Sequence, residues 1–298
     1  MISVVIPVYK KTELFLKNLR HNLPFLKGYE IIVVNDDPEM SIKKELAELS
    51  VILIENKKNL GFGGAVNMGV KKTGEKFVML LNSDVILNND RFKTTLQHFR
   101  KNKNLFAVSF AQKEKGGSIV GKNIIFWKNG FLQHRASSNL KLGINAWAEG
   151  GACLFDKEKF NRLGGFDEIY SPFYWEDIDL SYRAWKNGYE VLFDPKILVA
   201  HFHESTIGSY FSPEEIKTIA YRNQFIFMWK NITDFSYFWK HLLLLKLNLL
   251  ILLLKGDVLF TKGYFLALKK ISQILKRRRF EKKSSKYSDQ NIIDKFYE

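Results

Sequence analysis

At 298 residues, with 46% hydrophobic and 26% charged side chains, the chain can bury a large core, which excludes wholesale disorder. Its single cysteine, Cys153, excludes an internal disulfide and any zinc site built from thiolates, and fits a reducing compartment. The formal charge of +15 is unevenly placed: residues 220–298 hold 16 Lys/Arg and 6 Asp/Glu, a net of +10, which leaves 30 against 25, or +5, for residues 1–219. That asymmetry turns the tail towards an anionic surface, either phospholipid or nucleic acid.

The N-terminus, Met1-Ile2-Ser3-Val4-Val5-Ile6-Pro7, has no basic n-region and no cleavage site, so it reads as a strand and not a signal peptide. Residues 12–26 place Leu14, Leu16, Leu19, Leu23 and Leu26 roughly at helical spacing. A continuous apolar run, Ile31-Ile32-Val33-Val34, then ends in Asn35-Asp36-Asp37-Pro38. Residues 41–49 read as a helix, 51–55 as a strand, 64–73 as a helix, and 77–81 as a strand running into Asn82-Ser83-Asp84. Strand, helix, strand repeated in this way predicts an α/β fold: a mostly parallel sheet flanked by helices. Ligands of such sheets gather beyond the carboxyl ends of the strands, where Asp36, Asp37, Asn82 and Asp84 stand.

Residues 116–142 are less regular, rich in Gly and Ser, and suit hairpins or a flexible loop. Residues 150–155 read as a small-residue strand, and 156–163 as a helix capped by Asp156. A turn follows at Gly164-Gly165-Phe166-Asp167, then a helix over 175–188 and strands over 189–193 and 197–201. From about Pro213 the chain becomes long helices, which divides it into a domain of residues 1–212 and a helical, basic extension of residues 213–298. The apolar run 242–254 is shorter than the ~20 residues of a spanning helix, and Lys246 and Asn248 interrupt it. With Lys276-Arg277-Arg278-Arg279, Lys282, Lys283 and Lys286 behind it, it suits an interfacial helix on anionic lipid; a hairpin packed on the main domain or a dimer interface is the alternative.

Several residues carry chemistry. Asp84, at a strand end, can reach a hard metal that also binds phosphate oxygens, or can simply cap a turn. Asp36 can accept a hydrogen bond from a base or ribose, or shape the turn before Pro38. The glycine-rich Asn59-Leu60-Gly61-Phe62-Gly63-Gly64 opens a helix and allows close backbone approach to a phosphate or sugar, although its spacing is neither a Walker loop nor a dinucleotide fingerprint. Trp175-Glu176-Asp177-Ile178-Asp179 sets three carboxylates at a helix head beside an aromatic wall that raises a carboxylate pKa or stacks on a sugar. His201 and His203 share one side of a strand end, and either can ligate a metal.

In this order the stretches Val4-Val5-Ile6-Pro7-Val8-Tyr9, Val33-Val34-Asn35-Asp36, Asn59-Leu60-Gly61-Phe62-Gly63-Gly64, Leu81-Asn82-Ser83-Asp84, Gly164-Gly165-Phe166-Asp167, Trp175-Glu176-Asp177-Ile178-Asp179-Leu180 and His201 resemble the family 2 glycosyltransferases of GT-A fold. The likeness covers about residues 1–210 and looks closest to the rhamnosyltransferase-like branch, which builds surface polysaccharides. It implies an inverting transferase acting on a nucleotide-sugar donor, dTDP-rhamnose or a UDP-sugar, and a saccharide or lipid-linked acceptor. Pro7, Tyr9 and Asp36 would line the nucleotide pocket, while Asn59, Gly61, Asn67, Asn82 and Glu176 would shape the donor site. Asp84 and His201 would hold a divalent metal, Mg²⁺ or Mn²⁺, and Asp177 would be the general base. Two departures stand out: Asn82 replaces the first Asp of the Asp-x-Asp motif, and Asp37-Pro38 replaces the usual small turn after the second strand.

A nucleic-acid-binding protein is disfavoured, because most of the charge lies beside a leucine run and not among aromatics on one face. A membrane-bound scaffold without activity is disfavoured by the retained Asp84, Asp177 and His201. The expected location is the inner face of the cell membrane, peripherally attached from the cytoplasm.

Overall fold

The computed structural model describes residues 2–201 and 206–296. Its first strand, β1 (Ile2–Val8), is buried along its whole length, as an unalternating Val/Ile run must be when both faces of a parallel sheet are covered. After α1 (Thr12–Asn22) come β2 (Glu30–Asn35), β3 (Ile52–Glu55), α2 (Gly61–Lys72) and β4 (Phe77–Leu81). β1 lies between β2 and β4, and β3 extends the same parallel set beyond β2. The carboxyl ends of β1, β2 and β4 therefore share one edge, with Tyr9, Asp36 and Asn82 just past them.

Residues 41–49, expected as a helix, are a succession of turns. Ile42 and Leu46 do point inwards at helical spacing, but Glu55 at the end of β3 takes the Ile42 N–H at 3.1 Å. The Ala47 and Leu49 amides then bond carbonyls only three residues back. A segment this short cannot hold a helix against such competition.

Beyond β4 the sheet becomes mixed. The chain forms β5 (Val85–Leu87), α3 (Leu96–Lys101), β6 (Leu105–Lys113), β7 (Ile119–Val120), the hairpin β8 (Asn123–Lys128) and β9 (Phe131–Ala136), β10 (Gly143–Ile144) and β11 (Ala152–Asp156). Next are α4 (Lys157–Arg162), whose cap is the expected Asp156, then α5 (Glu176–Lys186) and β12 (Glu190–His201). β11 inserts antiparallel between β4 and β6, and β12 runs parallel to β6. The two strands expected over 189–193 and 197–201 are one strand whose register shifts between Asp194 and Leu198. Pro195 cannot donate to the ladder there, and Asp194 Oδ1 accepts from the Lys196 N–H at 2.9 Å instead. β12 thus crosses the sheet and delivers His201 beside the end of β4.

The remaining helices are α6 (Thr206–Tyr210), α7 (Pro213–Asn231), α8 (Phe235–Leu254), α9 (Val258–Leu268), α10 (Ile271–Ser284) and α11 (Asp289–Ile293). α7 starts with a Ser212/Glu215 capping box and buries its second half, where Phe227 meets Trp175 and Tyr182 of the main domain, each at 5.1 Å between ring centres. Beneath α5, Asp289 of α11 accepts from the Tyr182 hydroxyl at 2.7 Å and from the Lys186 ammonium at 2.9 Å. α8 is longer than the apolar run first suggested: 20 residues, long and apolar enough to cross a membrane by length and composition. Its inner face is docked by polar bonds to the turn between β8 and β9: His241 to the Gly130 carbonyl at 2.8 Å and Asn248 to that of Asn129 at 2.9 Å. Its outer face exposes Leu243, Leu247, Leu250 and Leu254. The basic cluster is only partly free, since Arg277 pairs with Asp167 at 2.9 Å and Arg278 donates to the Trp229 and Ile232 carbonyls that end α7.

Candidate active site

A cavity of about 680 Å³ opens where the strand ends meet the head of α5. Pro7, Tyr9, Asp36, Asn59, Gly61, Asn82, Asp84, Glu176, Asp177 and His201 all line it, although they come from residues nearly two hundred positions apart. Asn67 is not in the lining. It faces away along α2, where its side chain accepts from the Phe166 N–H at 2.9 Å and donates to the Phe166 carbonyl at 2.8 Å. That clamp explains the Gly164-Gly165 turn: a Cβ on Gly165, already at φ +69°, would sit 2.6 Å from Asn67 Oδ1. His203 lies outside the described residues.

Asp36 lines the cavity and Asp37 does not; the latter is tied to Lys10 at 3.2 Å. The carboxylate of Asp36 is already engaged, accepting from Asn56 Nδ2 at 2.8 Å and from the Leu60 and Gly61 amides at 2.9 Å each. Burial pushes its pKa up, against the pull of those donors. Asp36 therefore holds the 59–61 loop against the end of β2. Gly61 closes the arrangement with φ +74°, in a space where a Cβ would lie 2.6 Å from Ser171 Oγ.

At the end of β4 the chain makes a tight turn, Val85 N–H to Asn82 carbonyl at 3.1 Å, held from α1 by Asn18 donating to the Ser83 carbonyl at 3.0 Å. Asp84 Oδ1 comes within 3.0 Å of His201 Nε2, and His201 Nδ1 within 2.5 Å of Gln112 Oε1. Asn82 lines the same cavity, and the carbonyl oxygen of its side chain is buried without a partner among the described residues.

The opposite wall is the head of α5. Tyr174 and Trp175 take left-handed backbone angles, φ +69° and +76°, costly for bulky residues. Asn223 of α7 stabilises that turn by donating to the Tyr170, Phe173 and Tyr174 carbonyls at 2.8–2.9 Å. The turn aims Asp177 into the cavity, with Oδ1 on the Ile178 N–H at 2.8 Å and Oδ2 on the Gly150 N–H at 3.4 Å. Burial raises its pKa. Burial, and then the neighbouring Asp177 charge, drive Glu176 well above the ordinary carboxylate range, and its buried Oε2 has no partner among the described residues. The third acid of the cluster, Asp179, does not reach the cavity; it is wholly buried against Arg183 and Lys230.

Sequence reasoning missed Glu149, Gln112 and Asn123, which form the cavity floor. Glu149 accepts from Asn123 Nδ2 at 2.8 Å and from Gln112 Nε2, and burial raises its pKa. An acid directly before the small-residue strand, Glu149-Gly150-Gly151-Ala152, was a legible signal. Gln112 and Asn123 gave none. Neither did the role of α7, which supports the α5 wall of the cavity from the extension.

An acid-lined cleft beyond the carboxyl ends of the strands, beside a glycine-opened helix, is where open α/β sheets bind their ligands. The family model for "Glycosyl transferase family 2" matches residues 3–164, and the chain belongs to that family. It is 26% identical over 185 residues to a poly-beta-1,6-N-acetyl-D-glucosamine synthase of Staphylococcus epidermidis, covering 60% of this chain and 44% of that protein. It is 25% identical over 210 residues to a pre-mycofactocin glycosyltransferase of Mycobacterium tuberculosis, covering 69% and 43%. The chain thus spans less than half the length of these relatives. Among solved structures it resembles GalNAc-T7 with UDP, GalNAc and Mn²⁺ (TM-score 0.61, 15% identity, 80% of this chain and 49% of that one). It also resembles a mannosyltransferase from Pyrobaculum calidifontis in complex with GDP-Man and Mn²⁺ (TM-score 0.52, 13% identity, 91% and 75%). The fold is GT-A with C-terminal helices.

Proposed function

We propose that the protein is a metal-dependent, inverting glycosyltransferase acting on a nucleotide-diphosphate sugar. One observation carries the reading beyond family membership: six carboxylates line the cavity (Asp36, Asp84, Glu114, Glu149, Glu176 and Asp177) and, among the described residues, no lysine or arginine does. A diphosphate entering such a cleft needs a cation to offset the repulsion. The donor set fits a hard divalent ion: the Asp84 carboxylate, His201 Nε2, and the orphaned Asn82 carbonyl, with phosphate oxygens of the donor supplying the rest. With only one carboxylate among these, binding without nucleotide is weak. When bound, Mg²⁺ or Mn²⁺ neutralises charge on the departing diphosphate.

The chain's own residues do the rest. Asp177 takes the proton of the acceptor hydroxyl while that oxygen attacks the anomeric carbon; the bond to the diphosphate oxygen breaks, and a single displacement inverts the centre. Glu176, whose pKa burial pushes up, lies beside Asp177 in the cavity wall and borders the sugar of the donor. Pro7, Tyr9 and Asn59 border the nucleotide, and Trp147, Phe173 and Tyr174 offer faces for a saccharide acceptor. The donor is dTDP-rhamnose or a UDP-sugar, and the product belongs to surface polysaccharide synthesis, in keeping with the polysaccharide synthase among its relatives. The test is nucleoside diphosphate release from a panel of dTDP-, UDP- and GDP-sugars with Mn²⁺, Mg²⁺ or EDTA, with thermal shift on the same mixtures. Release from one donor that EDTA stops is the expected result. Release indifferent to EDTA would remove the metal, and neither turnover nor metal-linked nucleotide binding would remove the enzyme.

The outer face of α8 and α9 supports peripheral attachment to the cytoplasmic membrane face, near a lipid-linked acceptor. Exposed Leu243, Leu247, Leu250, Leu254, Val258 and Phe265 run beside exposed Lys240, Lys246 and Lys255, and the polar bonds of His241 and Asn248 keep the helix lying along the protein. The protein is expected to float with phosphatidylglycerol vesicles, and the triple variant Leu243→Asp, Leu247→Asp, Leu254→Asp to stay behind. Equal behaviour of the two proteins would end the idea.

A further inference from the structure

We infer that Gln112 is a positioning residue: it fixes the proton of His201 on Nδ1 and so presents Nε2 to the cavity as a lone pair for the cation. The inference rests on the metal-dependent reading above. A chain of hydrogen bonds runs along the cavity floor and ends at the imidazole. Asn123 Nδ2 donates to Glu149 Oε1 at 2.8 Å, Gln112 Nε2 donates to Glu149 Oε2, and Gln112 Oε1 faces His201 Nδ1 at 2.5 Å. A primary amide has one donor end and one acceptor end. Because both oxygens of Glu149 accept, the donor end of Gln112 is committed to the carboxylate. Its carbonyl is left for the imidazole, and a carbonyl can only accept. Nδ1 must then carry the proton, which leaves Nε2 facing Asp84 Oδ1 at 3.0 Å.

Two acceptors so placed share a cation well. A histidine that ligates through one nitrogen ordinarily has the other oriented by such a partner, and loss of that partner costs roughly 10–100-fold in metal affinity. Gln112 is suited to this because it is 1% exposed on β6, opposite Val199 in the β12 register, so its side chain is fixed by the sheet that also delivers His201.

A second observation shows that the pair is fitted. Gly151 has an ordinary backbone, yet a Cβ there would lie 2.9 Å from His201 Cε1 and 3.1 Å from Gln112 Oε1. Glycine at 151 leaves the space in which ring and amide meet. Its carbonyl also accepts from the Asn82 N–H at 2.9 Å, linking this floor to the turn that carries Asp84.

The experiment compares wild type, Gln112→Met, which keeps volume but removes the acceptor, and Gly151→Ala, which removes no hydrogen-bonding group but crowds the ring and the amide where they meet. Two readouts are taken on folded protein: ¹⁵N shifts of His201 without metal, and Mn²⁺ affinity with UDP by electron paramagnetic resonance. Wild type is expected to show protonated Nδ1 and unprotonated Nε2 or, if doubly protonated, to lose the Nδ1 hydrogen-bond signature in Gln112→Met. Mn²⁺ affinity is expected to fall about 10–100-fold in Gln112→Met, and to fall in Gly151→Ala. A wild-type ring protonated on Nε2 alone, which a reversed amide would impose, overturns the inference, as does unchanged Mn²⁺ affinity in Gln112→Met. Wild type that binds no Mn²⁺ with UDP overturns the metal reading itself, a failure recognised without any variant.

Discussion

Asp177→Asn is expected to lower kcat by about 10²–10⁴-fold while donor affinity, measured by calorimetry with UDP or dTDP, stays the same. The asparagine keeps the shape, and its one carbonyl oxygen can still accept from the Ile178 amide, but its NH2 end cannot accept the longer bond from the Gly150 amide and the side chain cannot take a proton. Glu176→Gln is the control. Glu176 is buried with its pKa pushed up, and glutamine keeps its shape, so the loss should be much smaller. The pH dependence has a definite sign. Burial raises the Asp177 pKa, so the base form is lost as pH falls, and the acid limb of kcat/KM lies above the ordinary carboxylate value of about 4. The limb belongs to the Glu176–Asp177 pair. A limb at or below the ordinary value, or comparable losses in both variants, would move the base elsewhere, and Glu149 on the cavity floor is the next carboxylate to test.

The strands and most helices of residues 1–201 were legible because their periodicity is local. The unalternating run Ile31-Ile32-Val33-Val34 can only be a doubly covered strand, and the acids after it fall at the binding edge. The failure at 41–49 has a non-local cause, since Glu55 captures the amide that would open a helix. The site divides in the same way. Asp36, Asn82, Asp84 and the acids that open α5 were legible from their place at strand ends and a helix head, whereas the roles of Pro7, Tyr9, Asn59 and Gly61 and the choice of His201 came from the family resemblance; all of these but Asp179 line one cavity. Asn67 had the right composition and neighbourhood, but an Asn on a helix next to a glycine turn serves equally as a clamp, and only the fold shows which. Gln112 and Asn123 sit within strands, where sequence gives no sign of which face meets the cavity. The acids Asp177 and Asp179 look alike in sequence and differ entirely in surroundings, because a cation arriving from α7 meets only one of them.

That cation, Lys230, carries the second large prediction. Its ammonium is buried between Asp167 at 2.7 Å and Asp179 at 2.8 Å, and Asp179 also accepts from Arg183 at 2.8 Å, Asn231 at 2.7 Å and the Tyr170 hydroxyl at 2.8 Å. Lys230→Met removes one positive charge from a set of two acids and leaves them to Arg183 and Arg277. Breaking a buried pair from one side costs ~3–5 kcal/mol, which should appear as a clear fall in the thermal midpoint. Burial pushes the Asp179 pKa up, but Arg183 and Lys230 outweigh it and hold the group far below the usual range. A depressed carboxylate contributes stability that is complete above its unfolded pKa and lost as pH falls towards its folded one. The variant should therefore unfold at higher pH than wild type on acid titration. Activity should fall with stability, because Tyr170 begins the loop whose carbonyls Asn223 holds and whose end aims Asp177. Wild-type melting and acid unfolding in Lys230→Met would mean that the C-terminal helices merely cover the α5 wall of the cavity and do not hold it in place.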